Sequence, residues 1–452
     1  MLTLSIVLIF ETPGEFLFAI ALLAPFVFFA ACVAYLWGLA LCALPGRSGL
    51  VPLVPRKTAS EQEGKTELSK LNFADDQMDR GIEEAIRFAV LIPAHNEELL
   101  IGAALKSLMQ LNYPRKSFNV IVIADNCNDA TARIVKESGA IALERFDTEK
   151  IGKGYALEWA LERLLSADPE PDLSVASAFD AVVVLDADTQ VAPNLLATFA
   201  EAIKSGEKAM QARYEVLNPD ESWRTRLMCC ALSLVHIVKP LGRERLKLSD
   251  GLKGNGMCFT REVVTRVPWS GASITEDIEY ALRICREGYR VAFLPGSAVW
   301  AQMPTTGAQS VTQRKRWEGG RYHLLFQTAP SLLKEGIRRK NPVLLDRAAE
   351  LIIPPFAEMF AFPFSLMIVS VIARFVYHWQ VASWYSIAFG TLLLMQAVYL
   401  FGGMWIAKVP AKIALSALYA PGYILWKFAV YGVMVVARSA GGWKRTERRS
   451  LD

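Results

Sequence analysis

The stretch that decides the fold is Ala181-Val-Val-Val-Leu-Asp186-Ala-Asp188-Thr-Gln190. Its apolar, β-branched run makes a short buried strand, and two carboxylates at alternate positions follow it. In extended chain, positions two apart point to the same side, so Asp186 and Asp188 can reach one cation. Mg²⁺ or Mn²⁺ takes few protein carboxylates and favours substrate phosphates for the rest of its shell. A turn closed by local Asx hydrogen bonds is the plainer alternative.

Working outward, the same strand-then-acid pattern recurs. Val90-Leu-Ile-Pro93-Ala-His95-Asn96-Glu97-Glu98 ends a strand in a polar loop feeding a helix, and Pro93, His95, Asn96 and Glu97 are candidates to bind a base or ribose. Alternatively Asn96 caps the helix and the two glutamates complement its dipole. In Val120-Ile-Val-Ile-Ala-Asp125-Asn-Cys-Asn-Asp129, Asp129 is the better N-cap and Asp125 the better ligand. Gly152-Lys153-Gly154 opens a helix with glycines that let backbone approach a phosphate and a lysine to pair with it, although P-loop spacing is missing. An ordinary loop-to-helix turn with an exposed lysine fits equally. Apolar runs at 88–92, 120–124 and 141–143 alternate with helical patterns at 99–111 and 130–137. That alternation predicts an α/β domain with a mainly parallel sheet and ligands at the strand C-termini.

Downstream, Thr275-Glu276-Asp277 precedes a helical pattern. Thr275 can cap it with acids in the first turn, and a carboxylate held there can also serve as a general base. In Gln313-Arg-Lys-Arg316-Trp317, Gln313, Arg316 and Trp317 share one helical face. Arginine can hold a departing diphosphate bidentately while Trp offers a flat face to a sugar ring. A juxtamembrane basic helix against anionic lipid is the alternative. The segment 223–238, apolar behind Arg224 and Arg226, suits either a membrane-surface helix or a buried one.

The chain has 452 residues, 53% of them apolar, and a net charge of +4, so a soluble part and a membrane part are expected. No dense basic tract supports nucleic-acid binding. The seven cysteines are scattered and never C-x-x-C, consistent with reduced thiols, and the four histidines lie too far apart for a zinc site. The uncharged run 16–44 exceeds the ~20 residues that span a bilayer. Glu11 and Glu15 precede it and Arg47, Arg56 and Lys57 follow, which places the N-terminus outside and the next domain in the cytosol. The expected division is an N-terminal transmembrane helix (1–46), a connector (47–87), a catalytic domain (88–341) and a C-terminal membrane region (342–452). The last holds apolar segments 351–376, 384–406 and 413–437. A third crossing there would export Arg438, Lys444, Arg445, Arg448 and Arg449, and Pro421, Gly422 and Lys427 suit an interfacial helix. Three crossings in all are therefore expected, a fourth being the alternative. A transporter is disfavoured by so few apolar segments and so large a polar domain.

In their order and membrane setting, the D-x-D, T-E-D and Q-x-x-R-W strings resemble the membrane-integrated members of glycosyltransferase family 2, the cellulose, chitin, hyaluronan and poly-N-acetylglucosamine synthases. The resemblance covers residues 88–325. It implies a GT-A-like (Rossmann-like) cytosolic catalytic domain and an inverting transferase. It also implies a nucleotide-sugar donor, UDP-linked by preference, a Mg²⁺ or Mn²⁺ cofactor, and a bacterial inner-membrane location. By that resemblance Asp125 meets the base, Asp186 the nucleotide with Lys153 nearby, and Asp188 the metal. Asp277, flanked by Thr275 and Glu276, is the general base, Gln313, Arg316 and Trp317 bind diphosphate and acceptor, and Gly254-Asn255-Gly256 lies near the acceptor entrance. The acceptor is a saccharide or a lipid. No Phe-x-Val-Thr gating string is present, Trp443-Lys-Arg-Thr446 being only faintly similar. Export of a polymer would need a compact channel, a homo-oligomer or an exporter partner. Single-addition glycolipid synthases of the ceramide glucosyltransferase type share the strings, and a catalytically inactive membrane scaffold or sugar-nucleotide-binding protein is the alternative of another class.

Overall fold

The structure is a computed structural model and describes residues 12–50, 85–168, 173, 176–273, 275–303, 305 and 319–424. The apolar runs form strands β1 (Phe88–Ala94), β2 (Phe118–Asp125), β3 (Ile141–Arg145) and β4 (Ala181–Val184), joined by β5 (Thr189–Val191), β6 (Ala209–Val216), β7 (Met257–Thr260) and β8 (Val291–Ala301). They build one sheet in the order β3-β2-β1-β4-β7-β6-β8-β5. Parallel pairing joins β1 to β2 and β4, β2 to β3, and β6 to β8, while β7 and β5 run antiparallel to their neighbours. The sheet is thus mixed and mostly parallel, as the strand and helix alternation predicts. Alternate strand residues feed separate apolar layers, Val90, Ile92 and Val183 on one face and Leu91, Ile123 and Val182 on the other. Burial of both faces is why these strands read as unbroken apolar runs.

Register brings the decisive loops to one sheet edge. Ala94 lies opposite Ala124, and Leu91 opposite Val184, so β1, β2 and β4 end side by side. Met257 pairs with Val184 in the antiparallel sense, which delivers the turn before β7 to the same edge.

By length and apolar composition, four helices among the described residues can cross a membrane. Three are the expected ones: Pro13–Ala43, capped by Thr12, Phe356–Tyr377 and Gln380–Ile406. The fourth, beginning at Trp223 and running to Arg245 through a π-turn at Leu234–Val238, settles the reading left open for 223–238. Cys229, Cys230, Leu234 and Ile237 share one apolar cluster with Leu36 and Val33 of the N-terminal helix and with Val216 and Phe293 of the sheet, so it is mainly a buried seam. A Cβ on Gly242 would lie 2.3 Å from the Leu39 carbonyl oxygen, which shows how closely this helix meets the N-terminal one. Of the segment expected to lie in the interface, 425–437 falls outside the described residues.

Charges are buried in that seam. Arg243 donates to Asp346 Oδ2 (2.9 Å), Glu350 Oε2 (2.6 Å) and the Tyr35 hydroxyl (2.7 Å), and Tyr35 donates to Asp346 Oδ1 (2.6 Å). Lys239 reaches Glu350 Oε1 (2.5 Å) and Arg347 reaches Asp346 Oδ2 (2.6 Å). Burial alone would raise Glu350, but Lys239, Arg243 and Arg321 outweigh it and hold its carboxyl well below the usual range. Removing one member of such a set strands the others without water. Arg243→Met is therefore expected to cost ~3–5 kcal/mol and to lower the thermal unfolding midpoint of the detergent-solubilised protein; an unchanged midpoint would show that the network does not hold the seam.

Candidate active site

At the end of β2, Asp125 is buried and accepts a hydrogen bond from Arg145 Nη1 at 2.5 Å. The pairing is dictated by strand register, since Arg145 of β3 lies directly opposite Asp125. Burial pushes the Asp125 carboxyl upward and Arg145 opposes the shift. Arg145 also donates to Asp147 Oδ2 (2.8 Å) and the Lys150 carbonyl (2.7 Å), which ties the loop after β3 to the same point. His95 Nδ1 lies 2.7 Å from the Asp125 carbonyl oxygen.

The loops after β1 and β2 hold each other. Asn96, at φ +54°, does not cap its own helix; its Oδ1 accepts the Asn128 N–H (2.9 Å). The Glu97 N–H donates to Thr131 Oγ1 (2.8 Å), and Glu98 accepts the Ala130 N–H (3.0 Å) at the start of the neighbouring helix Thr131–Glu137. The N-cap position of that helix falls on Ala130 and not on Asp129, whose Oδ1 accepts the Thr131 N–H (2.9 Å) from one residue further back. Asn96 and Glu98 thus bond to the neighbouring loop and leave the helix after β1 without a side-chain cap.

At the start of the helix Lys153–Leu164, Lys153 bridges two elements: its Nζ lies 2.5 Å from Asp186 Oδ1 and 2.5 Å from the Gly254 carbonyl oxygen. Asn255 is fully buried, accepts the Asp186 N–H (3.2 Å) and donates to Thr189 Oγ1 (2.8 Å), which fixes the turn carrying both aspartates. Asp188 is buried on that turn. Gly254, at φ +75°, has room for Asp277 on its other side: a Cβ there would stand 3.4 Å from Asp277 Oδ2 and 3.6 Å from Lys153 Nζ. Three separated strings, at 153, 186 and 277, therefore meet around one glycine. The Gly254-Asn255-Gly256 turn thus lies among Lys153, Asp186 and Asp277.

Asp277 lies in the first turn of the helix Glu276–Arg286 and accepts the Ile278 N–H at 2.8 Å. Burial raises its carboxyl, while the Ile278 N–H and the charges of Lys153 and Lys253 work against the rise. Lys253 is anchored by Asp250 (3.0 Å) and the Gly251 carbonyl (2.7 Å). Thr275 occupies the N-cap position without capping; its N–H donates instead to Ser273 Oγ (3.1 Å). Gln313, Arg316 and Trp317 lie outside the described residues. A Cβ on Gly320 would lie 2.2 Å from Thr275 Cγ2, so the helical residues 319–327 lie against the loop that carries Asp277.

The paired glycines of the lysine turn have different reasons. Gly152 needs its φ of +126° and faces open space. Gly154 is spent on packing: its backbone meets Gly271, where a Cβ would sit 2.4 Å from the Gly154 carbonyl carbon. Arg145, Lys253 and Gly271 carried no signal in isolation; only Arg145 could have been found, as the charged end of a strand aligned with Asp125.

The model for a family described as "Glycosyltransferase like family 2" matches residues 86–320, just over half of the 452. The protein named "Probable glycosyltransferase YdaM" of Bacillus subtilis is 25% identical over 268 residues, covering 58% of this chain and 60% of that one. The "Beta-monoglucosyldiacylglycerol synthase" of a Nostoc species is 27% identical over 278 residues, covering 60% of this chain and 56% of that one. The chain thus spans less than two thirds of the length of these curated relatives. Among solved structures, a mannosyltransferase from Pyrobaculum calidifontis in complex with GDP-Man and Mn²⁺ aligns over 86% of this chain and 98% of that one, at 19% identity and a TM-score of 0.49.

The Gly154–Gly271 contact yields a structural test. Gly271→Ala forces a backbone shift beside Lys153 and is expected to cost ~1–3 kcal/mol, seen as a lower thermal midpoint. A midpoint equal to that of the wild type would mean that the two turns are not in contact.

Proposed function

This chain belongs to glycosyltransferase-like family 2 and is a transferase, and we propose that it moves a sugar from a nucleotide-diphosphate sugar, a UDP-sugar by preference, to an acceptor hydroxyl at the cytosolic face of a bacterial inner membrane, with inversion. The observation that carries this reading is the meeting of Lys153, Asp186 and Asp277 around Gly254. One side of that meeting suits a diphosphate and the other a proton acceptor.

In this reading Asp125, with Pro93 near the end of β1 and His95, Asn96 and Glu97 on the loop after it, receives the base and ribose. Asp186 positions the nucleotide, and Lys153 exchanges its contact with Asp186 for the diphosphate. Among the described residues no group of three His, Cys, Asp or Glu could hold a metal. A divalent cation would therefore draw most of its ligands from phosphate and water, a habit of Mg²⁺ that the hard oxygen of Asp188 fits. Bound there, Mg²⁺ or Mn²⁺ would neutralise charge on the diphosphate. Asp277 takes the acceptor's hydroxyl proton, the oxygen bonds to the anomeric carbon, and the bond from that carbon to the diphosphate oxygen breaks with its electrons on the leaving group. Gln313, Arg316 and Trp317 are assigned to the diphosphate and the acceptor. Polysaccharide and lipid acceptors both satisfy this chemistry. The relatives named beta-monoglucosyldiacylglycerol synthase, from Nostoc, Trichormus variabilis and Synechocystis, support a lipid acceptor and a single addition.

Asp277→Asn is expected to lower transfer about 10²–10⁴-fold with nucleotide affinity kept, read as released nucleoside diphosphate over a panel of UDP- and GDP-sugars; near-normal transfer would remove Asp277 from the base role. Since burial raises Asp277 and the carboxylate is its working form, activity should rise with pH through a value above the ~3.9 of ordinary aspartate. An acidic limb at or below that value contradicts the assignment. Chelation should abolish transfer and added Mg²⁺ or Mn²⁺ restore it, with a higher metal concentration needed for half-maximal activity in Asp188→Asn; full activity in chelator would sink the cation role.

A further inference from the structure

A cavity of about 190 Å³ lies between the catalytic body and the membrane helices. Arg321, Tyr322 and Leu325 line it from the helix 319–327, Pro354 from the connection after the helix Pro342–Ile352, and Glu358 and Phe362 from the start of the apolar helix Phe356–Tyr377. Its two long walls have different destinations. Phe362, 49% exposed, stacks on Phe29 of the N-terminal apolar helix at 6.2 Å, so this wall belongs to the membrane-spanning set. The opposite wall is the helix 319–327, where the backbone of Gly320 rests on Thr275, two residues before Asp277. The cavity therefore lies between a helix of the membrane-spanning set and a helix that touches the loop carrying Asp277. Tyr322 and Phe326 on the same helix are 40% and 75% exposed beside the cavity.

We propose that this cavity seats the apolar chain of a lipid acceptor immediately below its hydroxyl-bearing headgroup, and so holds the hydroxyl within reach of Asp277. The inference rests on the transferase reading above and on its lipid acceptor, and goes beyond them by giving that acceptor a place in the fold. The lining of Tyr322, Leu325, Pro354 and Phe362 offers apolar contact that a saccharide end would leave unused, whereas an acyl chain gains ~0.8 kcal/mol per methylene taken from water. The charged members meet the other end of an amphiphile. Arg321 is fixed by the carbonyl oxygens of Glu350 (2.7 Å) and Ile353, and Glu358 is buried at the start of the apolar helix. A lipid is also the acceptor that can arrive laterally, along the helix whose first turns form the wall.

The test uses the full chain in phosphatidylcholine nanodiscs with a diacylglycerol carrying a diazirine near its glycerol. After irradiation, mass spectrometry is expected to find the label on peptides covering 319–327 or 351–362, displaced by unlabelled dioleoylglycerol. Leu325→Trp fills the cavity and should reduce this capture at least tenfold while leaving UDP affinity unchanged. Label spread along the apolar helices, capture untouched by Leu325→Trp, or displacement equally by phosphatidylglycerol would each overturn the proposal, the last by revealing a structural lipid. Capture needs no chemistry, so Asp277→Asn protein must be captured like wild type. Undiminished transfer by that variant would fell the base assignment and leave the lipid seat standing.

Discussion

Arg243, buried between Asp346, Glu350 and Tyr35, is the contact on which the rest of the arrangement depends. A guanidinium removed from water is tolerated only when its donors are met, and here they are met by two carboxylates of one helix and a hydroxyl of another. The N-terminal apolar helix, the seam helix and the helix Pro342–Ile352 are thereby locked to one another. The lock extends to the site: Arg347, which shares Asp346, lies against Gly251, where a Cβ would stand 3.2 Å from its Nη1. Gly251 begins the turn that carries Lys253 and Gly254. A continuous chain of buried contacts thus joins the membrane helices to the glycine between Lys153 and Asp277.

That continuity gives the site a fixed electrostatic setting. Lys253, held by Asp250, contributes positive charge that opposes the upward push of burial on Asp277. Lys153 does the same from the other side while bridging to Asp186. In the proposed reaction a diphosphate would compete for Lys153, and the loss of that charge from Asp277 would favour proton uptake there as the leaving group forms. Donor binding and base strength would then be linked through one side chain.

Much of this was legible in sequence where the signal is local. The runs before Asp125 and Asp186 are strands because both sheet faces are covered, and the acids following them stand at one edge because the strands are parallel. What depends on long-range pairing was not legible. Arg145 reaches Asp125 only through register, Gly154 is explained by a glycine more than a hundred residues away, and the helix from Trp223 to Arg245 is apolar enough to mimic a span yet is consumed in a seam. Capping arguments failed in a characteristic way. Asn96 and Glu98 satisfy the adjacent loop, and Thr275 turns to Ser273, because nearby partners compete with a residue's own helix for its hydrogen bonds.

The account centres on one carboxylate removing a proton from an acceptor that attacks opposite the departing diphosphate. The most direct measurement is the anomeric configuration of the product, read by proton NMR after transfer from an α-configured nucleotide sugar. A β-linked product is the result predicted for a single displacement with Asp277 as base. An α-linked product would contradict it, since retention requires a second displacement or a front-face attack.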